Sequence, residues 1–478
     1  MDKLPIEVLH EVIGWLDKPQ DVASCCLVNG TWTKVATPYL WYKPELRDTE
    51  SFELFLNVVK HPELSWRRLR YVQELGLKQE FLEILISKKL FTEFVNLKVF
   101  GSNEYNWLLH AQEHDLYFPL LKEARNYVMS FTSWDIFRLG CFLHKSPLLK
   151  SLSLELSGLP SGFLVPRIPR TRQLSSLFIR WDTEENDPQL VDVDEEQRVA
   201  RIEGLIQNVW ENLCSNLGEF SLEFTGSSQN PEIPINFGNM PWTDLTNLKL
   251  TRVGLTSQAI LNLANTLSPS LTTLKLSWFT PHEIVPDIYS FQRLLASCGE
   301  NLISLQLENN FLPVELGDLI SRSCPKLRKL TINATNFDDL SFLHIVNRLG
   351  AQLEYIEISS SLLEAPSLLR MFEIGKPQTF KVHRKQGVPI SMLNPIRKEF
   401  FYNLKDVSIL GYEIQNSFFE SLRDHTNGLR KFTVDVHQNM NFVLVKSLCS
   451  ELQRRSGYFF QPISSSSQRF LSYKRCDS

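Results

Sequence analysis

The chain has 478 residues, 43% of them hydrophobic and 22% charged, with a formal charge of -4 at pH 7. This length allows two or three ordinary domains or one elongated array, and the composition excludes wholesale disorder. So small a net charge excludes a global field that would draw the chain to nucleic acid or anionic lipid, which leaves partner choice to local patches.

The opening stretch from Leu4 to Trp41 reads LPIEVLHEVIGWLDKPQDVASCCLVNGTWTKVATPYLW. Leu9, Val12, Ile13 and Leu16 fall at helical spacing and predict one apolar stripe. Pro5 suits a first helical turn, where its missing N–H is harmless, and Pro19 restarts a helix after Asp17 and Lys18. A second short helix carries Val22, Ala23, Cys26 and Leu27. A third, after Asn29 and Gly30, presents Trp32 and Val35. Three helices within about forty residues cannot enclose so many apolar groups without a staple or a partner. Asp2, Glu7, Glu11 and Asp17 interrupt the apolar positions and argue against a secretory signal. No run reaches the roughly 18 apolar residues of a membrane span.

Further on, one pattern returns: apolar-x-x-apolar-x-apolar. Weak copies stand at Val72/Leu75/Leu77 and Phe94/Leu97/Val99. Clear ones begin at Leu149, Leu174, Leu217, Leu245, Leu271, Leu302, Leu327, Leu353, Leu404 and Leu429, with another weak copy at Phe380/Val382. Most neighbouring starts lie 25 to 31 residues apart, and nothing comparable fills the gap between 94 and 149. The last two apolar residues of each copy alternate inward along a short strand, so one copy cannot bury its own face and stacked copies can. Between copies the period changes to helical, as at Ile260, Leu263, Ala264 and Leu267, or Leu316, Leu319 and Ile320. Alternating strands and helices predict an α/β solenoid, with a parallel sheet on one face and helices on the other.

Between Leu174 and Leu217 the spacing stretches to 43 residues, and the excess holds eight acidic groups from Asp182 to Glu196. Such a run is expected to be a solvated loop. The eight cysteines are scattered without a CxxC pair, which argues against a zinc framework and favours a reduced cytoplasmic and/or nuclear setting. No phosphate loop, GxSxG elbow or HExxH helix occurs, so no catalytic residue, metal or cofactor is expected.

The repeats resemble the leucine-rich repeat family in the longer form often joined to F-boxes. In that form a cysteine or small residue ends the helix ahead of the strand, as Cys214, Cys298 and Cys324 do in CSNLGEFSLE, CGENLISLQL and SCPKLRKLTI. These thiols read as small buried hydrophobes. The asparagine that such repeats place after the strand is mostly missing, with Asn310 and Asn336 as exceptions. The opening stretch resembles an F-box, the adaptor-binding module of Skp/cullin/F-box ubiquitin ligases, through Leu4-Pro5, Glu7, the apolar run to Leu16, Asp21-Val22, Leu27-Val28, Trp32 and Pro38-Tyr39-Leu40-Trp41. Asn29-Gly30 departs from that family's cysteine or serine followed by a basic residue, and is expected to loosen the start of the third helix.

The expected organisation is an F-box over residues 1–45, a leucine-rich-repeat horseshoe over 46–455 with the acidic insert near 182–196, and a polar, mobile tail over 456–478. The resemblance implies a non-catalytic substrate receptor that contacts a Skp-type adaptor, and through it a cullin, by Leu4, Pro5, Leu9, Ile13, Leu16, Leu27, Val28, Trp32, Pro38 and Trp41. A scaffold that binds the adaptor outside any ligase stays open. On the strands, residues between the apolar anchors point to the open face in mixed charge, unlike a nucleic-acid groove. There Lys249 and Lys275, with Arg252, Trp278 and Lys329 in register nearby, form a cluster suited to an acidic or phosphorylated protein segment, and a solvated face of mixed charge is the alternative and favoured reading.

Overall fold

The computed structural model describes residues 4–60, 68–102, 118–157, 174–182, 217–225, 242–278, 286–384, 398–435, 447–454, 459–462 and 470–476, apart from a few positions inside these ranges. The acidic insert beyond Asp182, Cys214 and Asn310 lie outside the described residues. The chain divides into two compact units, Met1–Asn230 and Pro231–Ser478.

In the first unit, α1 (Ile6–Gly14), α2 (Pro19–Cys25) and α3 (Gly30–Tyr42) form where apolar spacing and the two prolines predict them. Pro5 is the N-cap of α1, and Pro19 opens α2. Asn29 does not loosen α3. Its side chain accepts hydrogen bonds from the N–H groups of Thr31 and Trp32 at 2.9 and 3.1 Å, so it caps the helix. The Thr33 hydroxyl then donates to the Cys26 carbonyl at 2.6 Å and ties α3 to the end of α2.

A capping box at Asp48 and Ser51 starts α4 (Thr49–Val59). Phe52 of α4 stacks on Phe81 of α5 (Gln79–Ser87), 4.1 Å between ring centroids. At the end of α3 the Tyr42 carbonyl accepts from the Gln73 N–H at 3.0 Å, directly ahead of the first strand. Packed contacts thus join the three opening helices to the first repeats.

Among the described residues, six strands follow in this unit: β1 (Glu74–Leu77), β2 (Val99–Ser102), β3 (Glu123–Ser130), β4 (Ser151–Ser157), β5 (Ser176–Asp182) and β6 (Glu219–Thr225). They pair in chain order and all are parallel. A helix, α6 (Ser133–Lys145), separates β3 from β4. Strand β3 fills the gap in which the leucine pattern shows nothing. Ala124 stands where its neighbours carry leucine or phenylalanine, and the register shifts between Ala124 and Tyr127, so the strand lacks the repeat's signature.

In the second unit, β7 (Asn247–Thr251), β8 (Thr273–Ser277), β9 (Ser304–Glu308), β10 (Lys329–Asn333), β11 (Tyr355–Ser360), β12 (Thr379–Arg384), β13 (Asp406–Leu410) and β14 (Lys431–Asp435) pair in parallel, each with the next. Helices α7 (Ser257–Thr266), α8 (Ile288–Cys298), α9 (Leu316–Ser323), α10 (Asp339–Leu349), α11 (Ala365–Ile374) and α12 (Asn416–His425) return between strands. On each strand from β7 to β11 the apolar residues are buried and the residues between them face outward, the period-two pattern of a half-buried sheet.

Small residues set how closely the repeats stack. A Cβ on Gly317 of α9 would overlap the carbonyl group of Ser341 in α10, so only glycine permits that approach. Cys298 and Cys324 are 1% and 0% exposed, and burial pushes both thiols up to about 12, which makes them the inert hydrophobes their position implies. Asn336 holds the turn after β10 to the preceding repeat. It accepts from the Leu312 N–H at 2.8 Å and donates to the Leu312 carbonyl at 2.6 Å. After β9 the Asn309 side chain donates to the Phe311 carbonyl at 3.0 Å within its own turn.

The end of the chain is not all mobile tail. A strand β15 (Phe459–Pro462) pairs antiparallel with β16 (Phe470–Cys476), and β16 pairs antiparallel with β14. The last parallel strand would otherwise present an open edge of unpaired backbone groups, and this hairpin covers it.

Candidate interaction surfaces

The opening helices sort their apolar side chains into two sets. Leu9, Ile13, Val22, Val35 and Ala36 form a closed interior, with Leu16, Cys25, Cys26, Trp32 and Leu40 packed partly against it. Leu9 and Ile13 are 2% and 1% exposed. These two, expected to meet an adaptor, are therefore the core of the helices themselves, because a three-helix unit spends its most central stripe on its own closure. Leu16 and Trp32 contribute only part of their surface outward. Pro38 is half-buried inside α3, and Trp41 packs on Phe55 with the Arg68 guanidinium 5.6 Å above its ring.

The second set faces outward. Leu4 is 53% exposed, Trp15 77%, Leu27 87% and Val28 58%, and Pro5, Ile6, Val8 and Val12 are exposed as well. On α1 the positions Val8, Val12 and Trp15 are spaced i, i+4, i+7 and make a stripe about a quarter-turn from Leu9, Ile13 and Leu16. Val12 belongs to this outer stripe. The sequence-based expectation grouped Val12 with Leu9, Ile13 and Leu16, whereas the i, i+4, i+7 spacing of Val8, Val12 and Trp15 marks a second apolar face. Covering Leu4, Trp15, Leu27 and Val28 would contribute roughly 4 to 8 kcal/mol, taking 1.5 to 3 kcal/mol per fully buried side chain and scaling by exposure. The cost of association must be taken from that figure.

On the open face of the second unit, Lys249 of β7 is directly opposite Lys275 of β8, as equivalent repeat positions require. Lys275 points its Nζ to within 3.9 Å of Glu308 Oε1, while Gln306 donates to the same oxygen. Arg252 follows β7 with φ of 57° and its N–H bonded to the Ser277 carbonyl at 2.6 Å. The other two expected members do not join the pair. Trp278 is 3% exposed and packs against Phe291, 5.9 Å between centroids, because it continues the inward parity of Leu274 and Leu276 rather than the outward one of Lys275. Lys329 lies opposite Ser304 and so aligns with Thr273, two residues out of register with Lys275 and two strands away.

A different polar cluster occupies β11 and β12. Tyr355 donates to Glu357 Oε2, and Lys381 Nζ lies 3.2 Å from both the Tyr355 hydroxyl and Glu357 Oε2. The ammonium also sits 5.4 Å above the Tyr355 ring. Partial burial pushes the Glu357 carboxyl upward, but the hydrogen bonds from Tyr355 and Lys381 outweigh it and leave the group below its ordinary value. Burial likewise opposes the charge on Lys381, and its bonds to Tyr355 and Glu357 prevail and raise it. Burial and the Glu357 acceptor together raise the Tyr355 phenol. Next to this cluster His383 Nε2 lies 2.9 Å from Ser408 Oγ. The face is a set of mutually satisfied polar groups of both signs.

Among the described residues no three of histidine, cysteine, aspartate and glutamate are grouped to hold a metal ion, and no helix is long and apolar enough to cross a membrane.

Residues 1–47 match the F-box-like family. No curated protein is similar to the chain in sequence. Among solved structures, the chain is similar to one from the Rad7 and Elc1 complex in yeast, at 13% identity and a TM-score of 0.40, over 87% of this chain and 92% of that one. A likeness that distant supports no conclusion about function. The family match and the three helices, with their inner and outer apolar stripes, identify the first 47 residues as an F-box-like domain, followed by a parallel-sheet repeat array.

Proposed function

We propose that the chain is the substrate-recognition subunit of a Skp/cullin/F-box ubiquitin ligase, acting in the cytoplasm or nucleus. The outer apolar set of the F-box-like domain, with Leu4, Pro5, Val8, Val12, Trp15, Leu27 and Val28, docks a Skp-type adaptor. The open face of the repeat array holds a target protein. The chain performs no bond-making step itself. It raises the local concentration of target lysines near a charged conjugating enzyme that the cullin brings.

The observation that carries this reading is the exposure of Trp15, Leu27 and Val28 within the segment that matches the F-box-like family. Large apolar groups concentrated in one short segment, as Leu4, Trp15, Leu27 and Val28 are, point to a surface that a partner covers, where singly scattered ones do not. Packing of α3 and α4 onto the first repeats supports the transfer geometry, since a target held on those repeats keeps a fixed distance from the adaptor.

Co-purification with a Skp-type adaptor tests the docking, comparing the intact chain with Leu4→Ala/Pro5→Ala. Retention by the intact chain and loss by the double variant are expected. Cullin in the same eluate supports the ligase, and adaptor without cullin supports a scaffold acting outside it. Equal adaptor recovery with both chains contradicts the docking proposal.

A further inference from the structure

We propose that the turns leaving β9, β10 and β11 form a docking ridge for a basic amphipathic helix of a partner protein, an inference that rests on reading the array as a protein-binding surface. Phe311, Val314, Leu340 and Leu362 on these turns are 45%, 61%, 59% and 50% exposed. Apolar side chains scattered singly over a surface carry no meaning, but these adjoin one another through their turns. The hydroxyl of Ser341, next to Leu340, donates to the Val314 carbonyl at 2.7 Å. The Glu364 N–H, two residues past Leu362, donates to Asp339 Oδ1 at 3.1 Å. Asn336 bonds both backbone groups of Leu312, beside Phe311. One ridge therefore crosses three repeats, and its turns are pinned before a partner arrives, which reduces the ordering needed on binding.

The same turns are acidic. Residues 308–318, 333–341 and 359–367 contain six aspartates and glutamates and no lysine, arginine or histidine. Local needs account for some of them. Asp338 accepts from the Ser341 N–H at 2.9 Å and caps α10, while Asp339 accepts from the N–H and hydroxyl of Ser367. Asp318 is answered by Arg322 at 2.9 Å, and Glu308 faces Lys275. Glu315 and Glu364 have no such task. They stand at the N-caps of α9 and α11, neither side chain makes a capping hydrogen bond, and both are exposed. The positive helix ends favour their charged form.

An apolar row between carboxylates repels nucleic acid and anionic lipid, and a second copy meeting the ridge would set carboxylate against carboxylate. A polypeptide bearing lysine or arginine is the complement. An added strand would need a row of unpaired backbone groups, and the turn amides are already bonded from repeat to repeat: Asn309 to the Asn333 carbonyl at 3.0 Å and Ala334 to the Ser359 carbonyl at 2.9 Å. A helix satisfies its own backbone and offers apolar residues about 6 Å apart at i and i+4. Successive repeats are about 4.8 Å apart at the sheet and about 8 to 10 Å apart in the helix layer, and the ridge lies where one spacing passes into the other. Apolar residues at i, i+4 and i+8 thus meet Val314, Leu340 and Leu362 in turn, and basic residues beside them reach Glu315 and Glu364.

The test presents the full chain with immobilised helical peptides of about 14 residues that carry leucine at i, i+4 and i+8 and lysine on the flanks. Matched sets replace lysine by glutamate, leucine by serine, or a central residue by proline, and adaptor binding is measured on the same preparation. Selective retention of the unbroken lysine-flanked helices is expected, weakening as salt rises. Val314→Ser/Leu340→Ser is expected to weaken it by roughly tenfold or more. Glu315→Gln/Glu364→Gln is expected to flatten the salt dependence. Ile303→Ser, at an exposed position ahead of β9 and so at the opposite end of the strands, is expected to change nothing. Failure to retain the lysine-flanked set overturns the proposal, as does equal retention of the glutamate, serine or proline sets. So does undiminished binding by Val314→Ser/Leu340→Ser, an unaltered salt dependence in Glu315→Gln/Glu364→Gln, or self-association of the parent chain that the serine variant abolishes. If adaptor binding persists through such a result, only the ridge is refuted. Absence of adaptor binding in the unaltered chain refutes the reading beneath it.

Discussion

The indole of Trp41 lies against the ring of Phe55, 5.6 Å between centroids, and so locks the last turn of the F-box-like domain to the helix that follows it. Phe55 and Phe52 in turn reach Phe81 beside the first strand. Trp41→Ala removes a half-buried aromatic from this chain of rings. A loss of about 2 to 3 kcal/mol is expected, below the 3 to 5 typical of full burial. Hydrogen exchange on the full chain checks it, with protection expected to fall in α3 and α4 and to hold in β8 to β11.

Gly317→Ala addresses how the helices pack. The added Cβ would run into the Ser341 carbonyl, so α9 and α10 must move apart. Overpacking of this kind costs roughly 1 to 3 kcal/mol. Chemical denaturation followed by circular dichroism is expected to show a lower midpoint for the variant. An unchanged midpoint would mean that the helices absorb a methyl group freely.

Asn336→Ala tests whether a single side chain ties two repeats together. It removes both hydrogen bonds to Leu312 and leaves that residue's N–H without its amide acceptor. The expected cost is about 1 to 3 kcal/mol. Asn336→Asp keeps the acceptor and loses the donor, and its thermal midpoint is expected to fall between those of the parent and the alanine variant.

The Tyr355, Glu357 and Lys381 cluster predicts a pH dependence of defined sign. Glu357 titrates below its ordinary value in the folded chain, so its contribution is complete above the unfolded carboxylate range and is lost as pH falls through the folded value. Lys381 titrates above its ordinary value, so its contribution is complete below the unfolded lysine range and is lost as pH rises through the folded value. Glu357→Gln is therefore expected to lower the melting temperature most near neutrality and progressively less as pH drops below about 4. A constant difference from about pH 7 to about pH 3.5 would contradict this assignment.

The sequence revealed the fold wherever leucine or isoleucine stands at both inward positions of a strand. Leu274 and Leu276, or Leu330 and Ile332, are 0% exposed, as their spacing requires. It concealed β3, where Ala124 takes the anchor position and a register shift breaks the alternation. The terminal hairpin is hidden for another reason: antiparallel pairing with β14 follows from the need to cover an open edge, and no repeat period encodes that. On α1 the residues announce two apolar stripes, but spacing alone does not say which one the helices keep for themselves. Only packing against Val22, Val35 and Ala36 assigns Leu9 and Ile13 inward and leaves Val8, Val12 and Trp15 outward. On the sheet, strand register can be counted from the leucines for Lys249 and Lys275, whereas Lys329 takes the place in its copy that Thr273 takes in β8.

Affinity for a purified Skp-type adaptor, measured by calorimetry on the full chain, tests the central claim most directly. Leu27→Ser/Val28→Ser alters two side chains that are 87% and 58% exposed and leaves the helical interior untouched. The account predicts an unchanged melting temperature and a loss of affinity of roughly tenfold or more, about 1.4 kcal/mol or greater. Adaptor binding by the double variant as tight as the parent's, with the fold intact, would contradict it.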